Sequence, residues 1–265
     1  MARMSGSGSP HPVVVLAGGA TLPLLGFGTY QLTGRSCVAA VGAALELGYR
    51  HLDTATMYGN EAEVGQALAA SGLARDEVFV TTKLWPDDVG HARPTIERSL
   101  DALGTDHVDL WLIHWPPGGR ADPVAWADLL RARDDGLARA VGVSNHSVAQ
   151  LDELAESAGE APAVNQIEWG PSRFDATVLA AHRERSVVLE GYSPFRSTAR
   201  DHPTLVGIAG AHEVSVEQVV IRWHLQHEVV AIPKSSHRER IATNADVFGF
   251  ELDPDELSAI DAIGG

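Results

Sequence analysis

Four residues with chemically useful side chains stand at the ends of short, mostly apolar runs. Asp53, Lys83, His114 and Ser144 follow one another at intervals of roughly thirty residues, about the length of a repeating strand–helix unit. A polar or charged side chain at the end of a buried strand is costly unless it is paired or used. The spacing therefore predicts that successive strand ends bring a carboxylate, an ammonium, an imidazole and a hydroxyl to one place.

Tyr58 lies in the loop after the first of these strands, five residues beyond Asp53, and could supply a proton to a carbonyl oxygen. A free tyrosine has a pKa of about 10 and is a poor acid at neutral pH. A nearby ammonium favours the phenolate and lowers that pKa. We expect Lys83 to provide the ammonium, Asp53 to keep Lys83 protonated, and His114 to orient the oxygen. Tyr58 would then donate its proton as a hydride reaches the carbon.

Each of these residue types also has an ordinary structural explanation when it stands alone. A lysine at a strand end usually extends its charge to solvent, and an aspartate before a loop is often a turn former. A histidine in an apolar run is usually part of the core, and we interpret His51 in this way. All four residue types at the correct strand ends are a more specific signal than any one of them.

Strands that alternate with helices predict an α/β fold with a parallel sheet. Gly26-Phe27-Gly28 is followed by Thr29-Tyr30-Gln31, so the glycine fingerprint of an open dinucleotide-binding sheet is absent. Eight strand candidates favour a closed (β/α)₈ TIM barrel, in which the chemistry lies at the carboxyl ends of the strands. The first barrel strand is predicted at Leu24–Gly28, after a hairpin in which 12–16 and 21–24 flank Gly18-Gly19.

Apolar residues at helical spacing predict the elements between the strands. The predicted helices are Ser36–Leu47, Glu61–Ala70, Ala92–Leu103, Val124–Arg133, Ser147–Ala158 and Asp175–Arg185. Capping boxes begin at Ser147 and Ser215, and Asp253 before Pro254 marks another helix start. Since no linker or low-complexity segment interrupts the chain, we expect a single barrel domain over 12–265, preceded by a flexible tail over 1–11.

The composition narrows the function classes. The chain has 265 residues, is 45% hydrophobic and carries a formal charge of −15, which argues against a nucleic-acid surface. No apolar run approaches the roughly 20 residues of a membrane helix. Cys37 is the single cysteine, so no internal disulfide can form, and we expect a cytoplasmic protein and a monomer. The histidines lack zinc-ligand spacing, so we expect no metal.

Several ordered motifs resemble those of the aldo-keto reductases, and most of all the prokaryotic branch that includes 2,5-diketo-gluconate reductases. The resemblance implies a (β/α)₈ barrel that reduces aldehydes and ketones to alcohols with NADPH. It assigns the proton donor to Tyr58, with Asp53, Lys83 and His114 in support. The motifs run from Gly26 to the end of the chain and are Leu52-Asp53-Thr54-Ala55, Tyr58-Gly59-Asn60-Glu61, Thr81-Thr82-Lys83-Leu84-Trp85, 109–116, Gly142-Val143-Ser144-Asn145, 165–168, 191–194 and 232–235.

The same resemblance places the cofactor. Tyr192 can offer a flat face to the nicotinamide. The residues expected to bind its carboxamide and the neighbouring phosphates are Ser144, Asn145, Gln166, Ser193 and Arg196. The basic segment after the last strand suits a 2′-phosphate, and the resemblance carries this contact onto Lys234, Ser235 and Arg240, with adenine contact on Asn244. Thr243 replaces the acid usual beside that asparagine.

Aromatic and apolar residues after the strands predict a substrate wall, made by Tyr30, Met57, Trp85 and Trp115. Trp169-Gly170-Pro171 departs from the family pattern, and the chain stops at Gly265, so we expect an open and permissive pocket. One alternative is a regulatory protein that holds nucleotide on the same barrel and turns over little. Another is a metal-dependent barrel hydrolase, which would need several His, Asp or Glu ligands at the strand ends.

Overall fold

The computed structural model describes residues 12–196 and 198–264. The predicted tail over 1–11 lies outside the described residues. The strands are β1 (Val13–Val15), β2 (Thr21–Pro23), β3 (Phe27–Gly28), β4 (His51–Asp53), β5 (Phe79–Leu84), β6 (Val108–Ile113), β7 (Ala138–Ser144), β8 (Val164–Glu168), β9 (Val188–Tyr192) and β10 (Val230–Ile232). The α-helices are α1 (Gly34–Glu46), α2 (Glu61–Ala70), α3 (Ala92–Leu103), α4 (Pro123–Asp134), α5 (Val148–Ala158), α6 (Ala176–Glu184), α7 (Pro203–Ala211), α8 (Val216–Gln226), α9 (Arg238–Ala245) and α10 (Pro254–Asp261).

The strands from β3 to β10 form an eight-stranded parallel sheet in which each strand pairs with its neighbours in chain order. A parallel bridge between Leu25 and Ala231 joins the last strand to the first and closes the ring. Backbone bonds of 2.9 Å from Gly26 N to Ala231 O and from Ala231 N to Leu24 O make this closure. The predicted (β/α)₈ barrel is therefore confirmed, although its first strand is shorter than predicted, at Phe27–Gly28.

The predicted N-terminal hairpin is also present. β1 and β2 pair antiparallel, with Val14 opposite Leu22. Gly18 and Gly19 both have positive φ in the turn between them, a conformation that glycine adopts without steric cost. The hairpin lines a cavity together with Arg50, at the start of β4, and with residues at the start of β5 and β6. It therefore lies at the amino-terminal end of the barrel, opposite the end where we expect the chemistry.

The helices begin and end where the local sequence satisfies their terminal backbone groups. Ser147 and Gln150 form a complete capping box at α5, and Ser215 and Gln218 form another at α8. Gly104 and Gly159 end α3 and α5 in the left-handed conformation, as expected of a helix C-terminus. These signals fix the lengths of the connections, so that each loop after a strand returns to the same rim of the barrel.

The barrel interior is crowded where β3 passes the neighbouring strands. A Cβ atom on Gly26 would lie 2.4 Å from Nδ1 of His51 and 2.8 Å from a methyl of Ile232. The imidazole of His51, which is fully buried, thus occupies the volume that a side chain at residue 26 would need. Close packing of this kind leaves no room for extra atoms. The interior is therefore a packed core below the rim and not a channel.

Candidate active site

The carboxylate of Asp53 and the ammonium of Lys83 form a buried ion pair at the ends of β4 and β5. Nζ of Lys83 lies 2.7 Å from both carboxylate oxygens and 2.8 Å from the carbonyl oxygen of Thr54. Lys83 is fully buried and Asp53 is 2% exposed. Burial is the largest effect and disfavours the charged lysine, but the charge and hydrogen bonds of Asp53, together with Tyr58 and Glu190, outweigh it and raise the pKa of Lys83 above its usual value. Lys83 is therefore a fixed cation beneath the rim.

Tyr58 lies directly above this cation. It ends a short 3₁₀ helix, Thr56–Tyr58, which is anchored where the hydroxyl of Thr56 donates to the carbonyl of Lys83 at 3.0 Å. Further along the loop, Asn60 donates to the carbonyl oxygens of Thr29 and Leu32. These bonds place Nζ of Lys83 3.4 Å from the Tyr58 hydroxyl and 5.0 Å from its ring centroid. The predicted phenol–ammonium contact is present.

The predicted direction of the Tyr58 pKa, however, is wrong. Burial raises the pKa of Tyr58 to about 12, against the lowering effect of Lys83 and with a further raising effect of Asp53. Because Asp53 neutralises most of the lysine charge, the ammonium cannot outweigh the loss of water around the phenol. Tyr58 is therefore fully protonated at neutral pH. If Tyr58 gives up its proton, the charge of Lys83 stabilises the phenolate that forms.

His114 completes the group around the phenol. Its ring centroid lies 5.6 Å from that of Tyr58, and its other face is held edge-on by Trp85 at 5.2 Å. Burial, followed by the charge of Lys83, lowers the pKa of His114 to about 3. The imidazole is therefore neutral at physiological pH, and one of its two ring nitrogens carries a proton that it can donate. A neutral donor beside a phenol suits an oxygen that accepts hydrogen bonds.

A chain of hydrogen bonds lines the rim on the opposite side. The hydroxyl of Tyr192 donates to Oδ1 of Asn145 at 2.9 Å, and Nδ2 of Asn145 donates to the carbonyl of His114 at 3.1 Å. Ser144 donates to the carbonyl of Gln166 at 2.7 Å, while the Gln166 amide donates to Asp53 at 2.8 Å. Asn145 adopts a positive φ of 62°. The amide of Gln166 is thus engaged by the ion pair, which links this side of the rim to Asp53.

A cavity of about 440 Å³ opens above these groups at the carboxyl end of the barrel. Thirteen of the eighteen predicted site residues line it, namely Asp53, Tyr58, His114, Ser144, Asn145, Gln166, Tyr192, Ser193, Arg196, Lys234, Tyr30, Met57 and Trp115. The structure therefore brings most of the predicted catalytic, cofactor and substrate residues into one pocket. Their chemical roles stay predictions.

The remaining predicted residues lie outside the lining. Lys83 lies beneath the cavity, in contact with Tyr58, and Trp85 packs behind His114, which lines the cavity. Ser235 is buried and accepts a hydrogen bond from the amide of His237 at 3.1 Å, just before α9. Asn244 is buried and Arg240 is exposed, both on α9. The residues predicted to contact the 2′-phosphate and the adenine therefore lie outside the cavity lining, on α9 and just before it, apart from Lys234.

Sequence reasoning missed some of the lining. Gln31, Pro194 and Ile232 face the cavity but carry no chemical signal in the sequence. Gln31 has a positive φ of 64°, and no glycine or asparagine at this position signals that conformation in the sequence. A missed residue with a clearer signal is Glu190, an acid inside the apolar run of β9, and it is fully buried. A charged residue is rarely fully buried unless it is paired, so an acid inside an apolar strand is a sequence signal for an unusual environment.

Comparisons with known proteins identify the family of this chain. A family model described as the aldo/keto reductase family matches residues 24–264. The chain belongs to the aldo/keto reductase family. Within the described ranges, no three or more His, Cys, Asp or Glu residues are grouped so as to hold a metal ion. The part of the chain that the structure describes also has no helix with the length and apolarity needed to cross a membrane.

Individual relatives cover nearly the whole chain. An aldo-keto reductase of Mycolicibacterium smegmatis is 42% identical over 267 residues, which span 99% of this chain and 94% of the relative. Morphine 6-dehydrogenase of Pseudomonas putida is 40% identical over 269 residues, which span 95% and 91%. These relatives confirm the predicted family. They do not single out its 2,5-diketo-gluconate reductase branch.

Solved structures of similar proteins share the fold. An aldo/keto reductase from Brucella melitensis superposes with a TM-score of 0.90 at 39% identity, covering 96% of this chain and 99% of its own. An aldo-keto reductase of Bombyx mori in complex with NADP superposes with a TM-score of 0.88 at 35% identity, covering 96% and 92%. The predicted single barrel with its hairpin therefore agrees with these experimentally solved relatives.

Proposed function

We propose that this protein reduces aldehydes and ketones to alcohols with NADPH, and that Tyr58 donates the proton. The observation that carries the proposal is the position of Lys83, which lies between the Asp53 carboxylate and the Tyr58 hydroxyl at the floor of the cavity. Membership of the aldo/keto reductase family and the NADP complex of the Bombyx mori relative support the reaction and the cofactor. Tyr58, Asp53, Lys83 and His114 are the proposed catalytic residues.

The residues around the cavity fit a phosphate-bearing dinucleotide. Gly28 lines the cavity, and a Cβ atom there would lie 2.9 Å from the carbonyl of Ile232, so glycine lets the two strands pack closely at this edge of the cavity. Lys234 and Arg196 place two exposed cations at the mouth. Arg240 makes no ion pair within the described residues, whereas Arg238 is bonded to Glu46 at 2.6 Å. NADPH, when bound, supplies the hydride for the carbonyl carbon.

The protein's own residues donate the proton that the carbonyl oxygen receives. A carbonyl oxygen that gains negative charge needs a donor within hydrogen-bond reach, and both the Tyr58 hydroxyl and the neutral His114 ring face the cavity. When Tyr58 gives up its proton, the phenolate lies against the Lys83 ammonium. That cation already lowers the pKa of Tyr58, which would otherwise lie further above its value of about 12. Asp53 keeps the ammonium charged and in place.

The wall of the cavity suits apolar carbonyl compounds of some size. Tyr30, Met57 and Trp115 are 48%, 43% and 44% exposed, an unusual exposure for large apolar side chains at one mouth. We propose that they contact the substrate's carbon skeleton. The Pseudomonas putida relative is named morphine 6-dehydrogenase, which supports action on a CH–OH group in the reverse direction and a bulky substrate. Diketo-sugar acids should be assayed as substrates beside apolar carbonyl compounds, because the predicted branch includes 2,5-diketo-gluconate reductases.

The alternative of a regulatory protein that only holds nucleotide finds no support in the family match, and the ion pair beneath Tyr58 is not needed to bind a nucleotide.

We further propose a cytoplasmic monomer of one domain over 12–265 that binds no nucleic acid. The charge of −15 argues against a nucleic-acid surface, and the single cysteine fits a reducing compartment. Sedimentation at micromolar concentration would test the monomer, and a dimer would contradict it.

Consumption of NADPH with aldehydes, diketones and keto-sugars tests the proposed function. We expect Tyr58→Phe to lower kcat by about 10²- to 10⁴-fold while NADPH affinity, measured by fluorescence quenching, stays unchanged. Tyr49→Phe is the matched control, because its hydroxyl bonds only to the carbonyl of Ile241, at 3.3 Å. A Tyr58→Phe variant with full rate would refute the proton-donor role. NADPH binding without turnover of any compound would favour the regulatory alternative.

A further inference from the structure

A second pair of ionisable side chains lies inside the barrel next to the Asp53–Lys83 pair. His51 is two residues before Asp53 on β4, and side chains two apart on a strand share a face. Glu190 is two residues before Tyr192 on β9 and lies opposite Gln166 of β8. Both His51 and Glu190 are fully buried. The proposed proton path uses neither residue.

The contacts of this pair leave Glu190 short of partners. Nε2 of His51 lies 3.1 Å from the hydroxyl of Thr81 and 3.7 Å from Oε1 of Glu190, and the latter distance is too long for a hydrogen bond. Neither carboxyl oxygen of Glu190 has a partner with normal hydrogen-bond geometry among the described residues. The Gln166 amide is still close enough to favour the ionised form somewhat. A buried carboxylate with so little support is costly, so the neutral acid is favoured.

We propose that Glu190 is a positioning residue for the reductase reaction, which acts on Tyr58 through Lys83. As a neutral acid it leaves the lysine charge shared by Asp53 and Tyr58 alone. As a carboxylate it adds a second negative charge beside Lys83 and withdraws part of the stabilisation that the Tyr58 phenolate receives. Glu190 thus sets an upper pH limit on the proton donation by Tyr58. This inference rests on the proposed function.

The electrostatics of the cluster agree with this role. Burial raises the pKa of Glu190 to about 8, the charge of Asp53 raises it further, and Lys83 lowers it. The titratable groups that face Glu190 from other elements are His51 and Asp53 of β4 and Lys83 of β5. Burial and Lys83 lower the pKa of His51 to about 3, so His51 is neutral throughout. The pKa of Tyr58 is about 12, so Glu190 titrates well below it. Burial also raises the pKa of Glu61 on α2, and Lys83 lowers it, so Glu61 is the acid against which the role of Glu190 must be compared.

Glu190→Gln tests the proposal, because glutamine keeps the shape and stays neutral. In the wild type we expect kcat to fall by about three- to tenfold as pH rises from about 7 to about 9.5, across the Glu190 pKa of about 8. In Glu190→Gln this fall should be lost while kcat near pH 7 is kept. The matched control is Glu61→Gln. Glu61 is another acid whose pKa is raised by burial, but it bonds to Thr82 and Ser99.

The control decides whether the effect belongs to Glu190. Glu61→Gln should keep the wild-type pH profile, and an equal loss of the alkaline fall in both variants would overturn the proposal. If the wild type turns over and Glu190→Gln shows the unchanged profile, the positioning role is wrong and the proposed function stands. If the wild type reduces no carbonyl compound at all, the proposed function itself fails.

A second measurement needs neither turnover nor a folded variant. Infrared difference spectra of the wild-type protein should show the carbonyl band of a buried, protonated carboxylic acid that disappears with a midpoint near pH 8. Where Glu190→Gln folds, as judged by circular dichroism, the band should be missing from its spectra. A wild-type protein without any such band above pH 6 would show that Glu190 is ionised, and would overturn the proposal.

Discussion

The ammonium of Lys83 is bound to Asp53 more closely than to Tyr58, with Nζ 2.7 Å from each carboxylate oxygen and 3.4 Å from the phenol. In this arrangement the cation is held by the carboxylate while Tyr58 keeps its proton. A phenolate at the same place would compete for the ammonium. The Lys83 ammonium therefore stabilises the phenolate that forms when Tyr58 donates its proton more than it stabilises the resting phenol. An interaction that is stronger in the transition state than in the ground state accelerates the reaction.

Lys83→Met should reduce both stability and rate. Removal of one partner leaves Asp53 buried and unpaired, which costs about 3–5 kcal/mol of unfolding free energy. The phenolate of Tyr58 also loses its cation, so we expect kcat to fall by about 10²-fold or more. Urea unfolding followed by tryptophan fluorescence gives the first quantity, and steady-state NADPH oxidation gives the second.

The double variant Lys83→Met with Asp53→Asn separates these two effects. It removes the unpaired charge, so we expect it to regain about half of the lost stability or more. Its rate should stay at the level of the single variant, because no cation faces the phenolate. A double variant that recovered the rate together with the stability would show that Lys83 has only a structural role.

Much of the site could be predicted because its residues stand at strand ends. Asp53 and Ser144 end β4 and β7 in the structure, and Lys83 is the last residue but one of β5. A parallel barrel brings such strand ends together. The helix bounds were also readable: α2 and α3 begin and end where apolar spacing and terminal glycines indicated. What was predicted is the part of the fold that local sequence signals determine.

The rest depends on tertiary contacts that carry no local signal. The sign of the Tyr58 pKa shift follows from how much water the folded loop excludes, and the motif around Tyr58 does not contain that information. The interpretation of His51 as a core residue is confirmed by its full burial, but its position 3.7 Å from Glu190 joins β4 to β9 across the barrel and has no local sequence signal. α7, which begins at Pro203, was not predicted, although proline at the first turn is a start signal.

Arg240→Ala should weaken NADPH far more than NADH. Arg240 is exposed on α9 and makes no ion pair with another described residue, so its guanidinium is available to a 2′-phosphate. The loss of a charge-assisted hydrogen bond corresponds to about a ten- to hundredfold rise in the NADPH dissociation constant. NADH, which lacks that phosphate, should change by about twofold or less. Fluorescence titration measures both constants.

Arg238→Ala is the control for this prediction, since it removes the same charge from the same helix. Its guanidinium is already bonded to Glu46, and we expect a much smaller change in NADPH affinity. Equal losses in the two variants would point to a general field of positive charge around α9. Equal effects of Arg240→Ala on NADPH and NADH would contradict the proposed phosphate contact.

Gly26→Ala should destabilise the barrel. The added methyl would lie 2.4 Å from Nδ1 of His51 and 2.8 Å from Ile232, and overpacking of this kind costs about 1–3 kcal/mol. Gly42→Ala is the control, because a Cβ atom there meets nothing within 4 Å and α1 gains about 0.5–1 kcal/mol from the better helix former. Urea unfolding of both variants checks the pair. An unchanged Gly26→Ala protein would show that His51 does not fill the interior as described.

Acid should destabilise the fold through its buried histidines, among them His224. Burial lowers the pKa of His224 to about 4 although its Nδ1 bonds to the carbonyl of Val220 at 2.7 Å. The unfolded chain binds a proton near pH 6.5, and the folded protein does so only near pH 4. The contribution is therefore full above about pH 6.5 and is lost as pH falls toward 4, at no more than about 1.4 kcal/mol per pH unit. His224→Gln should reduce the slope of unfolding free energy against pH in this window. The control His91→Gln alters an exposed residue and should keep the slope, and equal slopes in all three proteins would show that His224 is not the group that resists protonation.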